Sequence, residues 1–290
     1  MATIKDLKKR ITSTKNTQQT TKAMKMVSAA KLRRATDAIM SQRPYAQEIA
    51  RLMRVLGDDN SGSSSGGKAP VSLLVAISSD RGLCGGYNSS VIRAASQFIA
   101  DKNKAGRAVK SVFIGKKAYE ILRGRFKLDL IHYEEFGQKV LFRKATELAK
   151  KITPFFENGE VDEVIFVFNE FKNAMTQEIQ VEQVLPLKMD KSDAAETQGL
   201  TTDKAIYVPN KQSLYHSLAS KYFTIQIFKA LLDSQASEHG SRMSAMENAT
   251  KNAGDMIKKL TLQYNKQRQA GITKELLEII SGSESQKAQA

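Results

Sequence analysis

The first 56 residues constrain the fold most, because they contain no glycine and carry an apolar stripe at helical spacing over most of their length. A single helix of that length would extend about 80 Å at the usual rise per residue. Pro44 is the only helix breaker, and we expect a kink there but no end to the helix. The stripe begins at Ile4, Leu7 and Ile11 and resumes at Met24, Val27, Leu32, Ala35, Ile39, Ile49, Leu52 and Leu56.

From about Lys211 to Ile280 the sequence predicts a second long helix, roughly 100 Å if unbroken. Two rows of side chains repeat every seven residues, which is the spacing of a left-handed coiled coil. The rows contain poor core residues such as Thr250 and Gln267, so the seam is weakly apolar. Since the two helices lie at opposite ends of the chain, we predict that they pair as an antiparallel coiled coil. The predicted seam comprises Met243, Met246, Ala253, Ile257 and Leu260.

Between the helices, strand-like and helix-like runs alternate, which is typical of an α/β sheet. The predicted division is an N-terminal helix over 1–56, a flexible linker over 57–70, a central domain over 71–210 and a C-terminal helix with a short tail over 211–290. Predicted strands are Val71–Ser78, Ser111–Ile114, Val161–Asn169 and Thr176–Leu185, and predicted helices are Asn88–Lys104, Lys116–Arg123 and Gln138–Phe156.

The net charge of +15 is concentrated at the two ends of the chain. Residues 1–56 contain 13 Lys or Arg against 3 Asp or Glu. Such a helix fits nucleic acid, a membrane surface or an acidic protein partner. A nucleic-acid binder stays open as an alternative, although Tyr45 is the only aromatic residue in this helix. No apolar run reaches the roughly 20 residues that span a bilayer.

The glycine-rich stretch Asp80–Gly86 follows a predicted strand, which is the setting of a phosphate-binding loop. It matches neither common phosphate-binding pattern and has no lysine in register, so we expect tight backbone packing instead. Cys84 is the only cysteine, and His132, His216 and His239 stand far apart, so no metal site is expected. A freestanding α/β enzyme is a further alternative, but no acid–base constellation supports it.

Three stretches together resemble the gamma subunits of F-type ATP synthases, the central rotor shafts of these enzymes. The first is Ile11–Lys31, the second is Ser79–Asn88, and the third runs from Glu238 through Arg242–Thr250 and Tyr264–Glu275 to Ile280. They occur in the family's order and cover nearly the whole chain. The single cysteine excludes the regulatory dithiol of the chloroplast type, so the chain is similar to the bacterial form.

The resemblance implies the fold class α/β, with a long antiparallel coiled coil of the terminal helices and a central α/β (Rossmann-like) domain. It implies a non-catalytic subunit that couples proton flow through the membrane c-ring to ATP turnover by rotation and regulates ATPase activity. Implied partners are three alpha and three beta subunits, the epsilon subunit and the c-ring, with no cofactor, nucleic acid or small-molecule ligand. The implied location is the cytoplasmic face of the bacterial inner membrane.

The resemblance also implies three contact regions. Residues 12–22, which lack any large apolar side chain, would form a shaft surface that slides without sticking. Lys22 and Met24 would lie opposite the C-terminal region that faces the beta subunits. The implied beta-subunit contacts are Lys22, Met24, Arg242, Arg268, Gln269, Thr273 and Glu275, and the implied base of the stalk, facing epsilon and the c-ring, is Asp80, Arg81, Gly82, Leu83, Cys84, Gly85 and Gly86.

Overall fold

A computed structural model describes residues 3–56, 71–137, 140–186 and 210–288. The predicted linker 57–70 therefore lies outside the described residues. The elements, in chain order, are α1 (Ile4–Leu56), β1 (Val71–Ile77), α2 (Tyr87–Lys104), β2 (Ala108–Ile114), α3 (Lys116–Arg125), β3 (Asp129–Glu134), α4 (Phe142–Glu157), β4 (Glu163–Phe171), β5 (Gln177–Leu185) and α5 (Lys211–Ala288). Both predicted long helices are present, and α1 continues through Pro44.

The five strands form one sheet in the order β3-β2-β1-β4-β5. The first four run parallel and β5 pairs antiparallel with β4. The sequence did not predict β3, because this edge strand reads Asp-Leu-Ile-His-Tyr-Glu and has no fully buried residue. The predicted helix over Gln138–Phe156 begins only at Phe142. The predicted α/β class is confirmed.

Helices cover both faces of the sheet, which is why β1 and β4 are nearly continuous apolar runs. On one face Leu73, Val75 and Ile77 of β1 pack in a cluster with α4 and with Phe223 and Ile227 of α5. On the other face Leu74 and Ala76 pack in a cluster with α2 and α3. The alternation of side chains along β1 thus serves two separate cores.

The contacts within the chain define two compact units. Unit 1 comprises Met1–Val27 and Met243–Ala290, and unit 2 comprises Ser28–Arg242. The predicted domain boundaries stay predictions. Among the described residues, no helix is long and apolar enough to cross a membrane.

Unit 1 is an antiparallel pair formed by parts of α1 and α5. The Oγ1 atoms of Thr21 and Thr250 are 2.8 Å apart, and Lys25 pairs with Glu247 at 2.6 Å. Farther along, a Cβ on Gly271 would lie 3.7 Å from Ile4 Cδ1. Because residue numbers rise on one helix as they fall on the other, the predicted antiparallel pairing is confirmed.

Burial along α5 follows the predicted seven-residue rows. Met246 and Ala253 are buried, and the remaining seam residues, Met243, Ile257 and Leu260, are partly buried. The poor core residues Thr250 and Gln267 occupy the same seam. The heptad spacing, rather than the apolarity of individual side chains, therefore decides which face turns inward.

Three members of the predicted α1 stripe are exposed, the first of them Ile4 at the start of the helix. Val27 is 57 % exposed and Leu52 is 40 % exposed, whereas Ser28 and Met53 beside them are buried. The inward positions of α1 keep a period of 3.5 residues through Thr21, Ser28 and Met53, so they accept a serine and leave a valine outside. Apolar side chains on this helix do not by themselves mark its buried face.

Candidate functional site

The glycine-rich loop Asp80–Gly86 lies just beyond the carboxyl end of β1. This edge of a parallel sheet is where α/β proteins usually bind ligands, in the crevice beside a change in strand order. Here β1 lies between β2 and β4, so the loop stands at such a position. The loop therefore lies at a position that is typical of ligand-binding sites in α/β proteins.

Asp80 closes part of this edge with its own carboxylate. Its Oδ1 accepts hydrogen bonds from the backbone N–H groups of Lys116, at 3.2 Å, and Phe136, at 2.9 Å, and Oδ2 accepts one from Gly137 at 2.9 Å. Lys116 is the first residue of α3, where the helix dipole favours an anion. The carboxylate thus takes up donors that a ligand phosphate would need.

Polar contacts hold the interior of the loop. The backbone N–H of Ser79 donates to Asn88 Oδ1 at 3.1 Å, and Asn88 Nδ2 donates to Cys84 Sγ at 3.1 Å. Cys84 is buried, so its thiol is a packing group within the loop. Leu83 has a positive φ of 62° and a side chain that is 65 % exposed. A leucine in this conformation costs roughly 1–2 kcal/mol, and it presents an apolar side chain to solvent.

The helix α5 covers the crevice beside the loop. Ser241 Oγ donates to the Cys84 carbonyl at 2.6 Å, and Arg242 Nη2 lies 3.4 Å from the Gly82 carbonyl. Next to them, Ser237 Oγ donates to the carbonyl of Asn169, near the carboxyl end of β4, at 3.0 Å. A Cβ on Gly240 would lie 3.4 Å from the Ala174 carbonyl, so small residues let α5 approach closely.

At the junction, where α5 meets the glycine-rich loop, the charged side chains of α5 pair with each other. Glu238 and Arg242 form a buried ion pair at 2.6 Å, four residues apart on α5. Burial raises the pKa of Glu238, although Arg242 counteracts it. Burial, together with Arg242 and Lys31, lowers the pKa of His239 to about 4, so the imidazole is neutral at pH 7. The junction can therefore clamp α5 to the loop, but it offers no free acid–base pair.

The predicted stalk-base residues lie together in this loop, whereas the predicted beta-subunit contacts are dispersed. Lys22, Arg268, Gln269, Thr273 and Glu275 are exposed in unit 1, and Met24 is half-buried there. Arg242 is buried in unit 2, against Gly82 and Glu238. That these residues contact a beta subunit stays a prediction.

The prediction that Lys22 and Met24 lie opposite the region of Arg268 is wrong. Lys25, next to Met24, pairs with Glu247, while Gly271 lies beside Ile4 at the far end of the pair. The two regions are therefore about 30 Å apart along the helix axis. The error arose because the sequence does not reveal the register of an antiparallel pair.

A second candidate surface is the end of α5 from residue 272 onward, the apolar tip. Sequence reasoning predicted contacts there only for Thr273 and Glu275 and missed the apolar side chains. Gly271 lies beside Ile4, the first residue of α1, so α5 continues past the start of its partner helix. Its large apolar side chains are 47–73 % exposed. They are Ile272, Leu276, Leu277, Ile279 and Ile280. The missed signal is this apolar cluster beyond the heptad rows.

Small residues of α5 at the junction were also missed. Ser237, Gly240 and Ser241 recur at spacings of three or four, which brings them onto one helix face. Among the described residues, no group of three or more His, Cys, Asp or Glu side chains could hold a metal.

The family match and the most similar relatives all point to one family of proteins. Residues 3–285 match the family described as ATP synthase. The chain is 46 % identical to the ATP synthase gamma chain of Geotalea uraniireducens, over 99 % of this chain and 100 % of that protein. It is 43 % identical to the gamma chain of Paramagnetospirillum magneticum, over 98 % of this chain and 99 % of the relative.

Solved structures agree with the fold. A chain of the central stalk and c-ring structure of Tetrahymena thermophila mitochondrial ATP synthase matches with a TM-score of 0.60 and 28 % identity, over 79 % of this chain and 98 % of that chain. A chain of the Euglena gracilis mitochondrial ATP synthase rotor matches with a TM-score of 0.65, over 93 % of this chain and 98 % of that chain. The Euglena chain is 19 % identical and supports the fold alone.

Proposed function

Because the chain belongs to the ATP synthase family, with gamma chains as its relatives, we propose that it is the central shaft that turns inside the catalytic ring. The observation that carries this proposal is the apolar tip, whose large apolar side chains have no partner helix in the described chain. An exposed apolar cluster of this kind marks a contact with another protein. A ring of alpha and beta subunits closed around unit 1 would cover it.

The polar surface of the coiled coil suits a shaft that must turn against a surrounding ring. Over residues 12–22, Thr14, Gln18 and Thr21 face α5 and are partly buried, while the other side chains are exposed and polar. Polar contacts to a surrounding ring exchange readily with water, so none of them holds the shaft strongly at one angle. Large apolar anchors in the same place would favour one angular position.

Coupling follows from a mismatch of symmetry. A single antiparallel helix pair has no three-fold axis, so a ring of three alpha and three beta subunits would meet a different face at each catalytic site. Each site would then be biased towards a different affinity, which is a population shift caused by differential contacts. Turning the shaft would move these states around the ring.

We further propose that the chain contributes no catalytic residue and binds no nucleotide. In support, Asp80 already occupies the donors at the start of α3, and α5 packs over the adjacent crevice through Ser241 and Arg242. Isothermal titration of the purified chain with Mg-ATP is expected to show no binding. Micromolar affinity would overturn this part of the proposal.

The base of the stalk is assigned to the loop Asp80–Gly86. Its exposed residues include Arg81 and Leu83, and the strained, exposed Leu83 is well suited to insert into a partner. We place the epsilon subunit and the membrane c-ring on this side, which would hold the chain at the inner face of a bacterial membrane. No cofactor, nucleic acid or small-molecule substrate is needed for this role.

Reconstitution tests the proposed function. The alpha and beta subunits are combined with epsilon and the c-ring complex in vesicles, with and without this chain, and both ATPase turnover and proton pumping are measured. We expect ATP-driven pumping only when the chain is present. Equal pumping without the chain would contradict the proposal.

A further inference from the structure

Unit 2 contains a cavity of about 800 Å³ between α1, the end of β4 and α5. No residue of the glycine-rich loop or of the apolar tip lines it, and the proposed function makes no use of it. Its lining carries three cations and three carboxylates, along with polar and small side chains. The residues that carry the argument are Gln42, Arg43, Arg51, Glu170, Lys229 and Asp233.

Two of the three lining carboxylates are already paired. Glu48 lies 3.7 Å from Arg51, and Glu170 lies 3.0 Å from Lys172 and accepts a hydrogen bond from Gln180. By contrast, neither Arg43 on α1 nor Lys229 on α5 forms an ion pair within 4 Å with any residue that the structure describes. Both cations attract the carboxylate of Asp233, so they are most available to an incoming anion when that carboxyl is protonated.

A buried amide nitrogen at the same cavity also lacks a hydrogen bond. The amide Nε2 of Gln42 is inaccessible to solvent and has no acceptor among the described residues. Asp233 is only 5 % exposed, and no described residue donates a hydrogen bond to its carboxylate. Buried polar groups usually have partners, so the unpaired amide of Gln42 shows that the chain does not satisfy every polar group at this cavity.

We propose that this cavity is a binding site for an oxyanion-bearing ligand, a carboxylate or a phosphate, held by Arg43 and Lys229. A guanidinium and an ammonium offer charge-assisted hydrogen bonds to such oxygens. The open volume exceeds that of a single inorganic ion, so a small organic anion also fits.

Asp233 makes this site sensitive to pH. Its carboxyl is flanked by Lys229 on its own helix, Arg43 on α1, Glu170 on β4, Glu182 on β5 and Lys172 beyond β4. Burial raises the pKa of Asp233 to about 6. Above that pH its negative charge opposes an anion, and below it the neutral carboxyl can donate a hydrogen bond. Binding is therefore expected to strengthen as the pH falls through 6.

The test uses the full chain with sulfate and oxalate as probes, since each keeps a charge of −2 across the range. Calorimetric titrations are run at pH 5.5 and 7.5 at fixed ionic strength, with chloride as the reference anion. We expect the dissociation constant to be about tenfold lower at pH 5.5. A preference for sulfate would indicate a phosphate source, and a preference for oxalate a carboxylate source.

Variants assign the binding to the cavity. Arg43→Gln is expected to weaken binding about tenfold, whereas Arg33→Gln, on the same helix, exposed and outside the cavity, leaves it unchanged. Asp233→Asn should bind equally well at both pH values, and circular dichroism confirms that each variant is folded. The proposal is overturned if chloride competes equally, if Arg43→Gln binds like the parent chain, or if the parent's affinity is independent of pH.

Discussion

Two buried ionisable side chains of α5, Asp233 and His239, have pKa values displaced in opposite directions, to about 6 and about 4. Burial is the main cause in both cases, because it disfavours the charged form of an acid and of a base alike. The raised pKa of Asp233 stabilises the fold at low pH, and that contribution is lost as the pH rises from about 4 to 6. The lowered pKa of His239 has the opposite effect, and its contribution is lost as the pH falls from 6.5 to 4.

Asp233→Asn should therefore separate the contribution of Asp233 to the pH dependence of stability from that of His239. At pH 8 Asp233→Asn is expected to raise the free energy of unfolding, by up to about 3 kcal/mol. Below about pH 3 the difference from the parent chain should vanish, because Asp233 is then protonated in both the folded and the unfolded state. Urea unfolding at a series of pH values measures this, and a difference that does not depend on pH would contradict the assignment.

Position 115, between β2 and α3, requires a glycine because of its backbone conformation and its close neighbours. It has a φ of +96°, and an added Cβ would lie 2.0 Å from the backbone oxygen of Ser78. Gly115→Ala should cost several kcal/mol, at least about 1–3 kcal/mol from backbone strain alone. The matched control is Gly124→Ala within α3, where a Cβ meets nothing within 4 Å, and helix propensity there should give a gain of up to about 1 kcal/mol. Equal effects of the two changes in thermal unfolding would refute this reading.

At the scale of elements, the coiled coil of unit 1 is held by a seam that includes hydrogen bonds between side chains. Thr250 Oγ1 contacts both Thr21 Oγ1 and the Met246 carbonyl, and Gln18 Nε2 lies 3.5 Å from the Thr250 carbonyl. Polar groups in a seam fix the register at some cost in stability. The register is therefore expected to be unique although the seam is weakly apolar.

Cysteine cross-linking tests this register. On a Cys84→Ser background, Thr21→Cys combined with Thr250→Cys should oxidise to a disulfide within single molecules, because the two hydroxyl oxygens are 2.8 Å apart. Pairing Thr21→Cys with Lys251→Cys, which is exposed, is the control and should react far more slowly. Non-reducing gels and mass spectrometry distinguish intramolecular from intermolecular products. Only intermolecular disulfides in the first pair would show that the helices do not pair in this way.

The sequence predicted the elements whose signal is periodic or strongly apolar. The seven-residue rows around Met246 and Ala253 and the apolar runs of β1 and β4 were predicted correctly. It missed β3, because an edge strand needs little apolar surface, and it misassigned Val27, because the coiled-coil register overrides local apolarity. The junction of Ser241 with Cys84 joins residues 157 positions apart, and no local pattern reveals such a contact.

At the scale of the whole molecule, Arg268 tests how strongly single shaft contacts contribute to coupling. This side chain is exposed in unit 1, where an ion pair with a ring carboxylate would contribute only about 0–1 kcal/mol. Arg268→Ala should therefore leave assembly intact and change proton pumping per ATP by no more than about fivefold. Lys266→Ala, exposed two residues away, is the control for loss of charge. Complete loss of pumping in the Arg268 variant alone would require a buried contact instead.

Direct observation of rotation tests the central claim. A gold particle is attached through Lys127→Cys, an exposed position in unit 2, on the Cys84→Ser background, while the alpha–beta ring is fixed to a surface. With Mg-ATP the particle is expected to turn in one direction, in steps of about 120° set by the three-fold ring, and to stop when ATP is removed. A ring that hydrolyses ATP at its full rate while the particle stays at a fixed angle would contradict the account.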